Sequence, residues 1–168
     1  MNRENIDFRI ASRFDLERIV QITNQAILKK NLTAYIRPLS VQDRCTWFEE
    51  HKSDNYPIFI AESDNQIVGW ISLSPYRGGR EGLLKTVEVS YFVDNDFQQR
   101  GVGSKMLKKI LERAKNLEYE TVVAIIFETN LGSKKLLQKN GFERWGLLPD
   151  VAQIDGKTFS HGYYGLKL

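Results

Sequence analysis

Two features of the sequence can do chemistry, and they lie close together. One is a single acidic residue, Glu88, inside an apolar stretch; the other is the glycine turn Gln98-Gln99-Arg100-Gly101-Val102-Gly103-Ser104 that follows it. Val87, Val89, Tyr91 and Val93 alternate with Glu88, Ser90 and Phe92, the period-two pattern of a β-strand. After the turn, Met106, Leu107, Ile110, Leu111 and Ala114 recur at helical spacing. The glycines therefore fall where a helix begins. Amides of a first helical turn lack intrahelical acceptors, and the positive end of the helix dipole adds to them, so this turn can hold a phosphate or pyrophosphate.

Other readings of the turn compete. A dinucleotide fingerprint requires a third glycine at position 106, which is Met106, and a P-loop requires a GxxxxGK[ST] spacing that Lys105 after Ser104 does not supply. A glycine connection that holds nothing stays open on the turn alone. Strand alternation puts Glu88 on the face opposite Val87 and Val89, where it lines a cleft or faces water. Upstream, the loop around Pro75-Tyr76-Arg77-Gly78-Gly79-Arg80 carries two arginines. Arginine grips a carboxylate with paired hydrogen bonds, so Arg77 and Arg80 are candidates to anchor an amino-acid substrate, against the alternative of ordinary exposed loop arginines.

The elements that must position these residues can be read in chain order. Ile6, Phe8 and Ile10 alternate as a first strand; Ser12 caps a helix whose stripe is Leu16, Ile19, Val20, Thr23, Ala26 and Ile27. Ser40 with Asp43 forms a variant capping box that opens a second helix containing Trp47 and Phe48. Ile58 to Ala61 and Gln66 to Leu73 form a hairpin, in which Gly69 marks a bulge or a close approach. Tyr119 to Phe127 is a nearly continuous apolar strand, Asn130 opens a helix that Asn140-Gly141 ends, and Phe142 to Leu147 pairs with Thr158 to Leu168. The expected class is α/β: one domain over residues 1–168, with a mixed, mostly antiparallel central sheet flanked by helices on both faces.

Composition bounds the function classes. At 168 residues, with 42% hydrophobic and 11% aromatic residues, the chain suits one globular core. Lys plus Arg number 24 against 21 Asp plus Glu, a balance that does not call for a nucleic-acid partner. The basic residues Lys105, Lys108, Lys109, Arg113, Lys115, Lys134, Lys135 and Lys139 nonetheless cluster on or near the two helices after the turn, as a solvated face or beside a polyanion. No apolar run is long enough to cross a bilayer, and the start lacks a signal-peptide core, so a cytoplasmic protein without a membrane partner is expected. Cys45 is the sole cysteine, which excludes an intrachain disulfide and a cysteine-rich metal site; a buried structural thiol is expected there. His161, in an alternating strand, is read as packed or exposed rather than catalytic.

Gln98-x-x-Gly101-x-Gly103 after a strand carrying Glu88, with Asn130 and Asn140-Gly141-Phe142 downstream, resembles the GNAT superfamily of N-acetyltransferases. Asn24, Thr33-Ala34-Tyr35, Trp47, Tyr56-Pro57, Val68-Gly69, Pro75-Tyr76-Arg77, Val87-Glu88 and Val122-Val123-Ala124 extend the likeness along nearly the whole chain and resemble its phosphinothricin acetyltransferase branch. The resemblance implies the GNAT fold, acetyl-CoA as co-substrate, no metal, and transfer of acetyl to a small-molecule amine. It implies Glu88 as general base, with cofactor contacts from Gln99, Arg100, Gly101, Val102, Gly103, Ser104 and Asn130 and from the backbone around Tyr91, Phe92 and Val93. Tyr35 lies in the segment that walls the acceptor site of such enzymes, as a substrate-pocket residue or as an aromatic packing that loop onto the core. A homodimer is a further implication, with Tyr163 and Tyr164 on the last strand as interface candidates or as ordinary core residues. A protein N-terminus or lysine as acceptor, and a non-catalytic acyl-CoA-binding module, are the alternatives. Two departures stand out: Leu137 occupies the place of a tyrosine acid found in many GNAT enzymes, and Leu84-Lys85 replace an aromatic near the base.

Overall fold

The computed structural model describes residues 5–168. Seven strands form one sheet in the order β1-β2-β3-β4-β5-β7-β6. They are β1 (Asp7–Ile10), β2 (Ile58–Ser63), β3 (Gln66–Pro75), β4 (Thr86–Val93), β5 (Thr121–Phe127), β6 (Glu143–Ile154) and β7 (Lys157–Lys167). Helices α1 (Leu16–Leu28) and α2 (Val41–Glu50) lie between β1 and β2, α3 (Val102–Asn116) between β4 and β5, and α4 (Leu131–Lys139) between β5 and β6. Every strand pair is antiparallel except β4 with β5. The expected α/β architecture is the one observed.

Local chemistry explains the turns and starts. Asp64 and Asn65 both have positive φ, 49° and 62°, the twist-matched geometry of a two-residue hairpin, and Asp155 with Gly156 repeats it between β6 and β7. Ser40 and Asp43 satisfy each other reciprocally: Ser40 N donates to Asp43 Oδ2 (2.8 Å) and Asp43 N donates to Ser40 Oγ (3.2 Å). Gly141, at φ 88°, closes α4 while Phe142 N donates to Leu137 O (3.1 Å).

Strand alternation divides the core. Val87 and Val89 of β4 join Val102, Met106, Leu107 and Ile110 of α3 on one face of the sheet. Trp70 of β3 and Phe92 of β4 pack with Ile19 and Ile22 of α1, and with Trp47 and Phe48 of α2, on the other. Gly69 shows both features its strand position implied. A Cβ there would lie 2.9 Å from Met106 Sδ and 3.0 Å from Phe92 O, and the β2 register shifts beside its partner Ala61. Gly69→Ala is expected to cost about 1–3 kcal/mol by overpacking, read as a lower denaturant midpoint.

Several boundaries and burials differ from expectation. β6 extends to Ile154 because irregularities after Arg144 and Leu148 interrupt its alternation and hid its length. β5 starts at Thr121, not Tyr119. Cys45 is half-buried, with Sγ toward Val41 O (3.4 Å), because the covered face of α2 is taken by Arg44, Trp47 and Phe48. Tyr164 is 1% exposed and its hydroxyl donates to Glu128 Oε1 (3.1 Å), so it belongs to the core rather than to an interface. Among the described residues no helix is long and apolar enough to cross a membrane.

Candidate active site

The parallel β4–β5 ladder is short. It runs only from Thr86 to Glu88 against Thr121 to Val123, after which β5 keeps its pairing with β7 through Phe127. From Val89 onward, the β4 edge toward β5 has no strand partner among the described residues, leaving backbone groups open to a ligand that adds as a strand. Glu88 occupies the last rung. Its half-buried side chain shares a face with Ser90 and Phe92, and burial pushes its carboxyl pKa above the usual value.

Its cross-strand neighbour is Ser74. Ser74 Oγ lies 3.0 Å from His51 Nε2, and His51 Nδ1 lies 2.6 Å from Trp47 O. A carbonyl only accepts, so Nδ1 carries the proton of the neutral ring and Nε2 accepts from the Ser74 hydroxyl. Burial lowers the pKa of this imidazole and keeps it neutral.

A polar hub fixes the far end of β4. Asp94, 3% exposed, accepts from Arg18 Nη2 (2.7 Å) and Gln25 Nε2 (2.9 Å) on Oδ2, and from Asp96 N (2.9 Å) on Oδ1. Gln25 Oε1 also accepts from Asn95 N (2.8 Å), so α1 holds both the strand end and the turn that follows. Gln98 Nε2 donates to Val93 O (3.3 Å) and Asn95 Oδ1 (3.2 Å), a structural duty within that turn.

The chain then enters α3 through Gln99 (φ 62°) and Gly101 (φ 85°). The first helical bond is from Lys105 N to Gly101 O (3.2 Å), leaving the amides of Val102, Gly103 and Ser104 without intrahelical acceptors. The glycines serve different ends. Gly101 supplies the left-handed backbone, and a Cβ there would meet nothing within 4 Å, so the space before the amides is open. A Cβ on Gly103 would lie 2.9 Å from Leu136 Cδ2, so that glycine admits α4 against α3. Val102 is buried and offers only backbone; Arg100 Cζ lies 5.1 Å from the Phe97 ring centre; Ser104 Oγ is 3.4 Å from Asn140 Nδ2. Asn130 caps α4, its Oδ1 accepting from Ser133 N (3.1 Å).

The remaining candidates divide between the two faces. The Tyr91 hydroxyl is buried on the α3 side near Ser133, and burial pushes its pKa to about 12. Phe92 stacks on Trp70 (5.0 Å) on the α1–α2 side, and Tyr35, 40% exposed, lies beside Arg44 on that same side. Arg77 and Arg80 are exposed on the β3–β4 loop, where Arg80 helps line a hollow of about 160 Å³ with Tyr56, Tyr76, Leu84 and Thr86. Of the basic residues after the turn, Lys134 pairs with Glu128 (2.7 Å) and Arg113 donates to Ser53 O (3.0 Å), so these two serve the fold.

The acetyltransferase (GNAT) domain profile matches residues 6–143. The chain belongs to the GNAT acetyltransferase family. It is 38% identical over 161 residues to YwnH of Bacillus subtilis, whose assigned name is that of a phosphinothricin acetyltransferase, covering 95% of this chain and 98% of the relative. An L-methionine sulfoximine/L-methionine sulfone acetyltransferase of Pseudomonas aeruginosa is 30% identical over 95% of this chain and 93% of its own. The structure of YncA from Salmonella typhimurium, assigned as an acetyltransferase and solved with its cofactor acetyl-CoA, superposes with a TM-score of 0.90 at 26% identity, over 97% of this chain and 94% of the other.

In this GNAT chain Leu137 is fully buried in the core, so its position supplies neither a hydroxyl nor access to a leaving group. Three polar residues on the Glu88 face escaped the sequence reading: Arg44, His51 and Ser72. Arg44 carried a signal. It falls where the buried stripe of α2 calls for an apolar side chain, three residues before Trp47 and four before Phe48.

Proposed function

We propose that the chain, as a single domain, transfers acetyl from acetyl-CoA to the α-amine of a small amino acid or analogue, with Glu88 as general base. The supporting observation is the placement of Glu88: a desolvated carboxyl at the last rung before β4 and β5 part. An acyl-CoA fits the residues present. The open amides of Val102, Gly103 and Ser104, reached through Gln99, Arg100 and Gly101, suit its diphosphate; the unpaired β4 edge around Tyr91, Phe92 and Val93 suits its amide-bearing arm; and Asn130 stands at the neighbouring helix start.

Acetyl-CoA supplies an acyl carbonyl and a thiol leaving group. Glu88 takes the proton that an ammonium must lose before its nitrogen can attack, since such groups are protonated at neutral pH. Its raised pKa brings the base closer to the operating pH and strengthens it. Tyr91 stays protonated at that pH and is a hydrogen-bond donor on the cofactor face.

The acceptor side carries Tyr35, Arg77 and Arg80, and its basic character favours an acidic small molecule over a lysine-bearing protein. A homodimer is proposed through edge strand β6, where Trp145, Leu147, Leu148 and Val151 are exposed. The test is a coenzyme A release assay with methionine sulfone, methionine sulfoximine, phosphinothricin, ordinary amino acids, polyamines and a lysine peptide. Release with an amino-acid analogue above the others is expected. Release only with the peptide would move the assignment to a protein acetyltransferase, and none at all to a binding module.

A further inference from the structure

We propose that Arg44 and Ser72 form an anion-binding subsite that holds the acidic group of the acceptor on the Glu88 face of the sheet. The proposal rests on the acceptor being delivered to Glu88.

Arg44 is 7% exposed and its Nε has no hydrogen-bond partner; the Tyr35 side chain supports its charge, but no carboxylate among the described residues pairs with it. Its guanidinium carbon lies 4.3 Å from the Trp47 ring centre, 5.5 Å from Tyr35 and 5.8 Å from Trp70. Aromatic faces offset only part of the cost of taking a cation out of water, so the aromatic cage leaves this charge undercompensated and an incoming anion would complete it.

A second orphan lies on the same face. Ser72 is fully buried and its Oγ has no partner. Along β3, Trp70, Ser72 and Ser74 share one face and stand opposite Phe92, Ser90 and Glu88 of β4. The contacts of α2 follow that row: Arg44 lies against Trp47 and Trp70, Trp47 against His51 (4.6 Å between rings), and His51 against Ser74. Ser72 therefore sits one strand repeat from the base, about 7 Å, the scale on which an amino acid separates its amine from its acidic groups, and Arg44 lies over the Trp47 and Trp70 rings of the same row. Arg77 and Arg80 lie on the exposed loop and are independent of this row.

The experiment compares methionine sulfone with its neutral carboxamide on wild type, Arg44→Gln and Ser72→Ala, by coenzyme A release and by tryptophan fluorescence titration without cofactor. Trp47 and Trp70 report the site directly. Wild type is expected to prefer the acid by at least about tenfold, the factor that one charge-assisted hydrogen bond supplies. In Arg44→Gln that preference falls to near one, and in Ser72→Ala it falls several-fold. Ser72→Ala removes a hydroxyl that has no partner, so it folds and keeps the test alive if Arg44→Gln does not. A wild type without preference for the acid, or variants that weaken both ligands equally, would overturn the subsite and leave the acetyltransferase assignment standing. If no amine releases coenzyme A, that assignment fails while the titration still decides the subsite.

Discussion

Glu88→Gln is expected to lower kcat by about 10²–10⁴, the range that a positioned general base contributes, with little change in KM for acetyl-CoA. The same substitution should not weaken the fold. The folded-state pKa of Glu88 is raised by burial, so its stabilising contribution exists below the unfolded value and is lost as pH rises through the folded one. At neutral pH the buried carboxylate is a cost, and the neutral amide removes it. Thermal unfolding at pH 7 should show a midpoint equal to or above wild type. In the parent, kcat/KM should rise with pH through that elevated pKa and the limb should vanish in the variant. Turnover within threefold of wild type would remove Glu88 from the mechanism.

Asp94→Asn is expected to be the most damaging single change to the framework of the site. Burial raises the Asp94 pKa, but the Asp96 amide, Gln25 and Arg18 together overcome this and hold it below the usual carboxylate value. The amide cannot offer the same charge to Arg18 while also capping Asp96. Breaking a buried pair costs about 3–5 kcal/mol, and Arg18, whose side chain is 26% exposed, places this case near the lower end. Here the sign is opposite to that of Glu88. A depressed pKa gives stability that is present above the unfolded value and lost as pH falls through the folded one. Urea unfolding should therefore separate variant from parent clearly at pH 7 and converge as the pH falls through the carboxylate range. The loosened entry to α3 should also raise KM for acetyl-CoA. Equal urea midpoints at pH 7 would show that the hub does not hold the turn.

The sequence carried the architecture where one periodicity ran unbroken. Val87 to Val93 and Met106 to Ala114 predict β4 and α3 because each buries one regular face, and Ser40 with Asp43 marks a helix start through chemistry local to four residues. The alternation of β6 breaks off early because Pro149 and two irregularities interrupt it, and tertiary pairing with β7 carries the strand across them. The left-handed entry to α3 was legible from Gly101, whose backbone conformation is a local property. The second glycine was not: its reason is Leu136, on a helix that only the fold brings near. Arg44, Ser72 and His51 act across α2 and β3, and no spacing along the chain connects them. Asp94 directly follows β4, yet its partners Arg18 and Gln25 lie far earlier in the sequence, so its role as a hub appears only in three dimensions.

The central claim is that the amides opening α3 hold the diphosphate of acetyl-CoA and so lay its thioester beside Glu88. A crystal structure of the acetyl-CoA complex tests this most directly. The account predicts diphosphate oxygens on the backbone of Val102, Gly103 and Ser104, with the thioester in the gap where β4 and β5 part. A cofactor bound elsewhere, or a Glu88 carboxyl turned away from the thioester, would contradict it.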